Sequence, residues 1–289
     1  MSTPDQTSRP PQVEIRHVFK RFLHNGSKLT VLQDVSLTIE QGEFVCLLGP
    51  SGCGKSTLIQ LIAGLDRPDD GHVLVDGNEV TGPGFDRVVV FQDAALFPWL
   101  SVLGNVEFGL HMKGLSRPER RARALEHLKL VHLSKFVHAY PHQLSGGMKQ
   151  RAAIARALVM DPKILLLDEP LGALDAQTRS ILQEEILQLW QATRKTIFFV
   201  THNVREATFL ADRVFEITAR PGTIKNEYPI NVPRPRREQD PHLLTIQAKV
   251  MGSLKAEIEK VAQEELDTNY RVSKAGILMP VDRNVGSNI

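Results

Sequence analysis

Residues 43–64 read EFVCLLGPSGCGKSTLIQLIAG. The opening run, 43–48, is short and apolar, the pattern of a strand buried on both faces. The closing run, 56–64, has helical periodicity and ends on Gly64, a C-cap candidate. Between them Gly49, Pro50, Ser51, Gly52, Cys53, Gly54, Lys55, Ser56 and Thr57 fit G-x-x-x-x-G-K-[ST]. The glycines let backbone N–H groups turn inward around phosphate oxygens, and the helix starting near Ser56 adds its positive end. In such a loop Lys55 reaches the β- and γ-phosphates and Ser56 offers its hydroxyl to Mg²⁺. A chance glycine-rich turn would not be expected between a strand and a helix.

Outward from this stretch, strand and helix patterns alternate. VEIRHVFKRF (13–22) and LTVLQDVSLTIE (29–40) are β-rich, the latter alternating Val31, Val35, Leu37 and Ile39. DGHVLVDGNEV (70–80) reads as a hairpin. RVVVF (87–91), ILLLD (164–168) and TIFFVT (196–201) read as further buried strands. Turns and helices fill about 93–143. MKQRAAIARALVM (148–160) is amphipathic and closes at Asp161-Pro162, and 175–194 is helical. Strands alternating with helices of this length predict a parallel sheet with crossover helices.

The character changes near 220. ARPGTIKNEYPINVPRPRREQDP reads as a strand pair or linker. Asp240 and Pro241 can start a helix, as N-cap and first residue. Leu244, Met251, Leu254, Ile258 and Val261 fall on one stripe of it, expected to pack on the chain's own surface. Residues 1–12 read as a disordered leader, and the last 19 show no clear pattern.

Composition bounds the function. In 289 residues, 42% are apolar and 24% charged, ordinary for one large α/β domain with a small appendage. The net charge of +2 argues against a protein built to coat nucleic acid. Cys46 and Cys53 make no disulfide framework and fit a reduced compartment. The N-terminal MSTPDQTSRPPQ lacks a signal peptide's apolar core, and no run of 18 apolar residues occurs. Action at a membrane would therefore need a partner. Among ten histidines, His132, His138 and His142 included, none shows metal-ligand spacing.

Two more segments carry chemistry. Ile164–Glu169 is four apolar residues followed by two acids: Asp168 would hold Mg²⁺ at the end of a buried strand, and Glu169 would polarise an attacking water. In Leu144-Ser-Gly-Gly-Met-Lys-Gln-Arg151, Ser145, Gly146 and Gly147 open a helix, a second anion site about ninety residues from the first.

LSGGMKQR resembles the signature of the ATP-binding cassette (ABC) superfamily, and Gln143 before it fits as well. The resemblance spans about 13–220. It implies an α/β fold: a P-loop NTPase core with a mostly parallel sheet, an antiparallel β subdomain and an α-helical signature subdomain at about 93–160. A C-terminal helical extension, 221–289, would follow. Gln92 matches the glutamine that contacts Mg²⁺ or the lytic water and faces the membrane partner. His202 matches the switch histidine at the γ-phosphate. Gly172-Ala-Leu-Asp175 matches the loop that crosses the dimer interface, and Phe22, with Phe19 as its competitor, takes the place of the aromatic that stacks on adenine. The signature would close over ATP held by a second cassette, identical or paralogous. Two transmembrane permease subunits would dock near Gln92 and Phe97–Leu103, at the cytoplasmic face of the plasma membrane. A periplasmic or lipoprotein solute-binding protein would act indirectly.

Independently of any family, Gly49, Gln92, Asp168 with Glu169, and His202 each follow a different apolar run, and parallel α/β sheets bind ligands at the carboxyl ends of strands.

FQDAALFPWLSVLGNVEFGL (91–110), ARPGTI (219–224) and PRPR (233–236) resemble importers of nitrate, sulfonate, taurine and bicarbonate. Polyamine and iron importers share part of the first pattern. Asn203 stands where many relatives carry Asp. Cys53 reads as permissive backbone filler, Arg234–Arg237 as solvated or facing lipid headgroups, and Arg117, Arg120 and Arg121 as a solvated helical face. Two rivals fit less well. Soluble ABC proteins of translation or repair carry two cassettes or a coiled-coil insertion, and P-loop kinases or GTPases lack the signature.

Overall fold

The computed structural model describes residues 10–24, 26–266, 270–272 and 278–280. In chain order it runs β1 (Val13–His24), β2 (Ser27–Ile39), β3 (Phe44–Leu48), α1 (Lys55–Ala63), β4 (Asp70–Val75), β5 (Asn78–Glu79) and β6 (Arg87–Val90). Next come α2 (Val102–Met112), α3 (Arg117–Leu130), α4 (Gly146–Leu158), β7 (Ile164–Asp168), α5 (Ala176–Thr193), β8 (Thr196–Thr201) and α6 (Val204–Leu210). The chain finishes with β9 (Arg213–Ile217), β10 (Ile224–Pro229), α7 (Pro241–Leu266), β11 (Tyr270–Val272) and β12 (Leu278–Pro280).

The main sheet has the order β10-β9-β3-β8-β7-β6. All neighbours are parallel except β10, which runs antiparallel to β9. Every residue of β3 is buried, because the sheet is covered on both faces. Alternation assigns its side chains to two cores: Phe44, Cys46 and Leu48 pack with α5 and α6, while Val45 and Leu47 pack with α1 and the N-terminal strands.

Those strands form a second, antiparallel sheet, β2-β1-β4-β5. Val31, Val35, Leu37 and Ile39 all turn inward, as their alternation predicts. The β4–β5 hairpin turns through Asp76 and Gly77, both at positive φ, the two-residue turn that an Asp-Gly pair favours.

A third core joins α2, α3 and α4 through Val102, Val106, Leu128 and Ala152. Helix α4 serves two cores, since Ala153, Ile154 and Ala157 on its other side face the main sheet.

Five readings are corrected. RVVVF is not a fully buried strand: β6 is an edge strand, and Arg87, Val88 and Val89 are half-buried. The break at 220 falls inside the main sheet, because β10 lies beyond it and pairs with β9. Residues 1–9 of the leader lie outside the described residues, but Gln12 is buried, accepting from the Thr196 hydroxyl with its side chain and from the Asp76 amide with its carbonyl.

The other two concern the C-terminal third. Helix α7 starts as expected, with Asp240 Oδ1 accepting from the His242 and Leu243 amides. Its stripe holds in part. Leu254 is buried and Ile258 packs against the core as expected, but Leu244 and Met251 are 48% and 39% exposed, and their neighbours Leu243 and Val250 are buried instead. Glu257, also buried, accepts from Lys225 at 2.9 Å. Nor is the basic run solvated throughout: Arg237 is exposed, but Arg234 and Arg236 are not. Arg236 is buried and donates to the carbonyls of Thr208, Phe209, Ala211, Ile230 and Val232. Arg234 pairs with Asp212 and lies over the Trp190 ring.

Candidate functional site

The carboxyl ends of β3, β6, β7 and β8 lie side by side, so residues 49, 92, 168–169 and 202 are gathered along one edge of the sheet. The loop from Gly49 to Gly54 leaves β3 and feeds α1. Gly52 and Gly54 adopt φ of 73° and 102°, conformations that favour glycine, and a Cβ on Gly54 would meet Leu32 Cδ2 at 2.7 Å. Lys55 is 4% exposed. Its ammonium donates to the Gly49 and Pro50 carbonyls at 3.0 and 2.7 Å and lies 3.3 Å from Glu169 Oε1. The cation expected at the phosphates is thus held inside the loop, facing the acid expected at the water. Cys53 is buried beside it, and burial raises its thiol pKa, so it is no ready nucleophile.

Two acids end β7 with different surroundings. Burial raises the Asp168 carboxyl, partly offset by a hydrogen bond from Ser56. That bond brings together the two oxygen donors read as Mg²⁺ ligands. A hard cation that keeps several waters and takes its remaining oxygens from phosphates fits this donor set. Among the described residues, no group of three His, Cys, Asp or Glu could hold a metal by itself. Glu169 sits at φ 45°, an uncommon conformation for a non-glycine residue, and its amide donates to the Val200 carbonyl at 3.0 Å. Its carboxylate is shared between Lys55 and His202, whose Nδ1 is 2.9 Å from Oε2. The His202 hydrogen bond, against burial and helped by Lys55, holds Glu169 below the usual carboxylate range. The same bond raises His202.

The turn after β8 keeps this histidine in place. Asn203 Oδ1 caps α6, accepting from the Arg205 and Glu206 amides. An amide oxygen accepts here as a carboxylate would, so the departure from Asp costs no cap. Thr201 Oγ1 donates to the buried Glu206 at 2.6 Å. Sequence reading missed Glu206, since one acid in an amphipathic helix carries no distinguishing signal.

Gln92 is exposed just past β6, and its Nε2 would lie 3.3 Å from a Cβ on Gly172, whose amide bonds to the Glu169 carbonyl. Arg156 of α4 donates to the Ala94 and Ala95 carbonyls, tying the helical region to the segment after Gln92. Beyond it Phe97 packs on Trp99 and Phe108, and Trp99 is 71% exposed.

The second candidate anion site stands on another element. Ser145 caps α4 through the Met148 amide, and Gly147 approaches α5 so closely that a Cβ would meet Thr178 Cγ2 at 2.6 Å. Asp175 caps α5, accepting from the Thr178 amide at 2.9 Å, so its carboxylate already has a partner within its own chain. Phe22 lies on β1 opposite Leu29, 40% exposed, with Lys20 Nζ 5.2 Å from its ring.

The sequence shows Arg220 only within the ARPGTI pattern; in the structure it donates to the Gly52 carbonyl at 2.9 Å, a contact no linear pattern displays.

Known proteins resemble the chain over most of its length. The family described as ABC transporter matches residues 32–172. A nitrate import ATP-binding protein of a Synechocystis species is 51% identical over 221 residues, covering 76% of this chain and 83% of that protein. A taurine import ATP-binding protein of Burkholderia pseudomallei is 47% identical over 241 residues, 81% and 93% of the two chains. An ATP-binding cassette solved as a dimer in a post-hydrolysis state with ADP and Pi superposes with a TM-score of 0.69 at 36% identity, covering 76% of this chain and 99% of that one. With identity near one half across most of its length, and a sheet edge that carries the expected phosphate loop, paired acids and histidine, the chain belongs to the ABC transporter family as one of its ATP-binding proteins.

Proposed function

We propose that this chain hydrolyses ATP at the carboxyl edge of its main sheet, as one of two cassettes that power uptake of a small oxyanion such as nitrate, taurine, another sulfonate or bicarbonate. The observation that supports it most is the Glu169 carboxylate, held between Lys55 and His202.

In this reading residues 49–57 wrap the phosphates with backbone N–H groups, and Lys55 exchanges its loop carbonyls and Glu169 for phosphate oxygens. Glu169, released from Lys55 and kept ionised, accepts a proton from water as the water oxygen bonds to the γ-phosphorus. The bond to the bridging oxygen then breaks, leaving ADP and phosphate. His202 orients Glu169 and donates toward the γ-phosphate. Ser56 and Asp168, with Gln92, would hold Mg²⁺, which neutralises charge on the phosphate oxygens when bound. Phe22 stacks on the adenine.

The helical region at about 93–160 presents Ser145, Gly146 and Gly147 to the nucleotide of the second cassette, with Asp175 at the same seam. The exposed aromatics around Trp99, near Gln92, receive a permease subunit. Among the described residues no helix is long and apolar enough to cross a membrane, which fits attachment at the cytoplasmic face through that subunit.

Purification of the tagged chain from native membranes in mild detergent tests the reading. Recovery with a multi-span subunit supports it, and recovery only with ribosomes or DNA rejects it. The solute follows from titrating nitrate, taurine and bicarbonate against the solute-binding protein of the same complex.

A further inference from the structure

Residues 219–222, the turn between β9 and β10, lie against the back of the phosphate loop. Arg220 Nη2 and Nε donate to the Gly52 carbonyl at 2.9 and 3.3 Å. Gly222 comes so near the next peptide that a Cβ there would stand 2.4 Å from the Cys53 carbonyl oxygen. The Gly52 carbonyl is thus bonded to a segment some 170 residues away, and the Cys53 carbonyl packs against the same segment. In a planar trans peptide the N–H points opposite to the C=O. Holding the Gly52 and Cys53 carbonyls toward the turn directs the Cys53 and Gly54 amides away from it.

The turn is itself fastened on two sides. Its Gly222 amide donates to the Val31 carbonyl at 2.8 Å, and the Gln33 amide donates to the Gly222 carbonyl at 3.0 Å, both on β2. From α7, the buried Glu257 Oε2 accepts from the Ala219 amide at 3.0 Å. Burial pushes the Glu257 carboxyl up, but Lys225, the Ala219 amide and Lys260 outweigh it and hold it low.

We propose that Arg220 is a positioning residue of the phosphate loop and that Glu257 fixes the turn carrying it, so the docked C-terminal helix tunes nucleotide affinity. The inference rests on the phosphate-loop reading above. Arg220 touches no nucleotide in this scheme; it sets the direction of loop amides that do. Because those amides hold phosphate in ground and transition states alike, the effect falls on KM rather than kcat.

The test uses the full-length chain, with calorimetric titration of AMP-PNP and steady-state ATP hydrolysis. Arg220→Ala raises both Kd and KM about three- to tenfold, with kcat kept within about twofold. Its melting temperature stays at the wild-type value, since the side chain is exposed. Arg220→Lys recovers part of the affinity by one remaining donor. Glu257→Ala weakens binding in the same direction, and Glu257→Gln, which keeps an oxygen for the Ala219 amide, stays near wild type. The Arg220→Ala, Glu257→Ala double variant is no weaker than Arg220→Ala alone, as expected of two groups in one chain of contacts. Lys55→Ala is measured alongside. If Lys55→Ala loses affinity while Arg220→Ala binds as wild type, the positioning role is wrong and the phosphate loop stands. If Lys55→Ala binds normally, the phosphate-loop reading fails and takes this inference with it.

Discussion

His202 Nδ1 stands 2.9 Å from Glu169 Oε2, and each group shifts the titration of the other. The bond holds Glu169 low and His202 high. The ion pair's contribution to stability is lost as pH falls through the lowered Glu169 value, and also as pH rises through the raised His202 value. Between those limits it is present. Removing the carboxylate charge in Glu169→Gln should therefore lower the His202 midpoint, read by NMR of the imidazole in the nucleotide-free protein. An unchanged midpoint would mean the pair does not exist in solution.

Glu169→Gln should also slow ATP hydrolysis by about 10²- to 10⁴-fold while nucleotide binding persists. With the chemistry stalled, ATP should hold two copies together, seen as a dimer by light scattering. Turnover at the wild-type rate would remove Glu169 as the base.

Lys55→Ala should weaken ATP binding on the order of ten- to a hundredfold, the loss of one charge-assisted contact to phosphate. Equilibrium dialysis with labelled ATP measures it. The loop itself should survive, because Gly52 and Gly54 set its shape and the ammonium only bridges its carbonyls.

Ser145→Arg places a long cation where a cap stood, at the end of α4 assigned to the partner's nucleotide. Turnover should vanish although Lys55 and Glu169 are intact. A mixture of Ser145→Arg and Lys55→Ala chains should regain activity at one of its two composite sites, whereas a site confined to one chain would show no such rescue.

Arg236→Met removes a buried cation that donates to five backbone carbonyls. Burial, then the neighbouring Arg234 charge, pulls its pKa down to about 10, so it remains charged at neutral pH. Stranding those carbonyls should cost about 3 kcal/mol in urea unfolding. A difference within error would show that water replaces the guanidinium.

The sheet edge was legible because its chemistry is local: a strand end, a glycine loop and a capped helix each announce themselves over ten residues. Glu169, Asp168 and His202 were readable as apolar runs that stop on polar groups. What escaped was set by long-range pairing. Edge and centre strands look alike when both are short apolar runs, so the sequence alone does not mark β6 as an edge. On α7 the apolar residues come in adjacent pairs, Leu243 with Leu244 and Val250 with Met251, and only packing on the sheet decides which of each pair is buried. The PRPR run looked solvated because the carbonyls that Arg236 collects lie on other segments, four to twenty-eight residues away. Arg220 is the sharpest case: its local sequence is a loop, and its meaning lies at Gly52.

The chain's two tryptophans occupy opposite environments. Trp190 is buried with the guanidinium carbons of Arg194 and Arg234 at 5.2 and 4.5 Å from its ring, while Trp99 projects from the surface assigned to the permease. Their emission should therefore separate by colour and by access to iodide. The quenchable, red-shifted part follows subunit docking, and the protected part follows the seam between sheet and C-terminal extension, so the unlabelled protein carries its own two-channel optical readout.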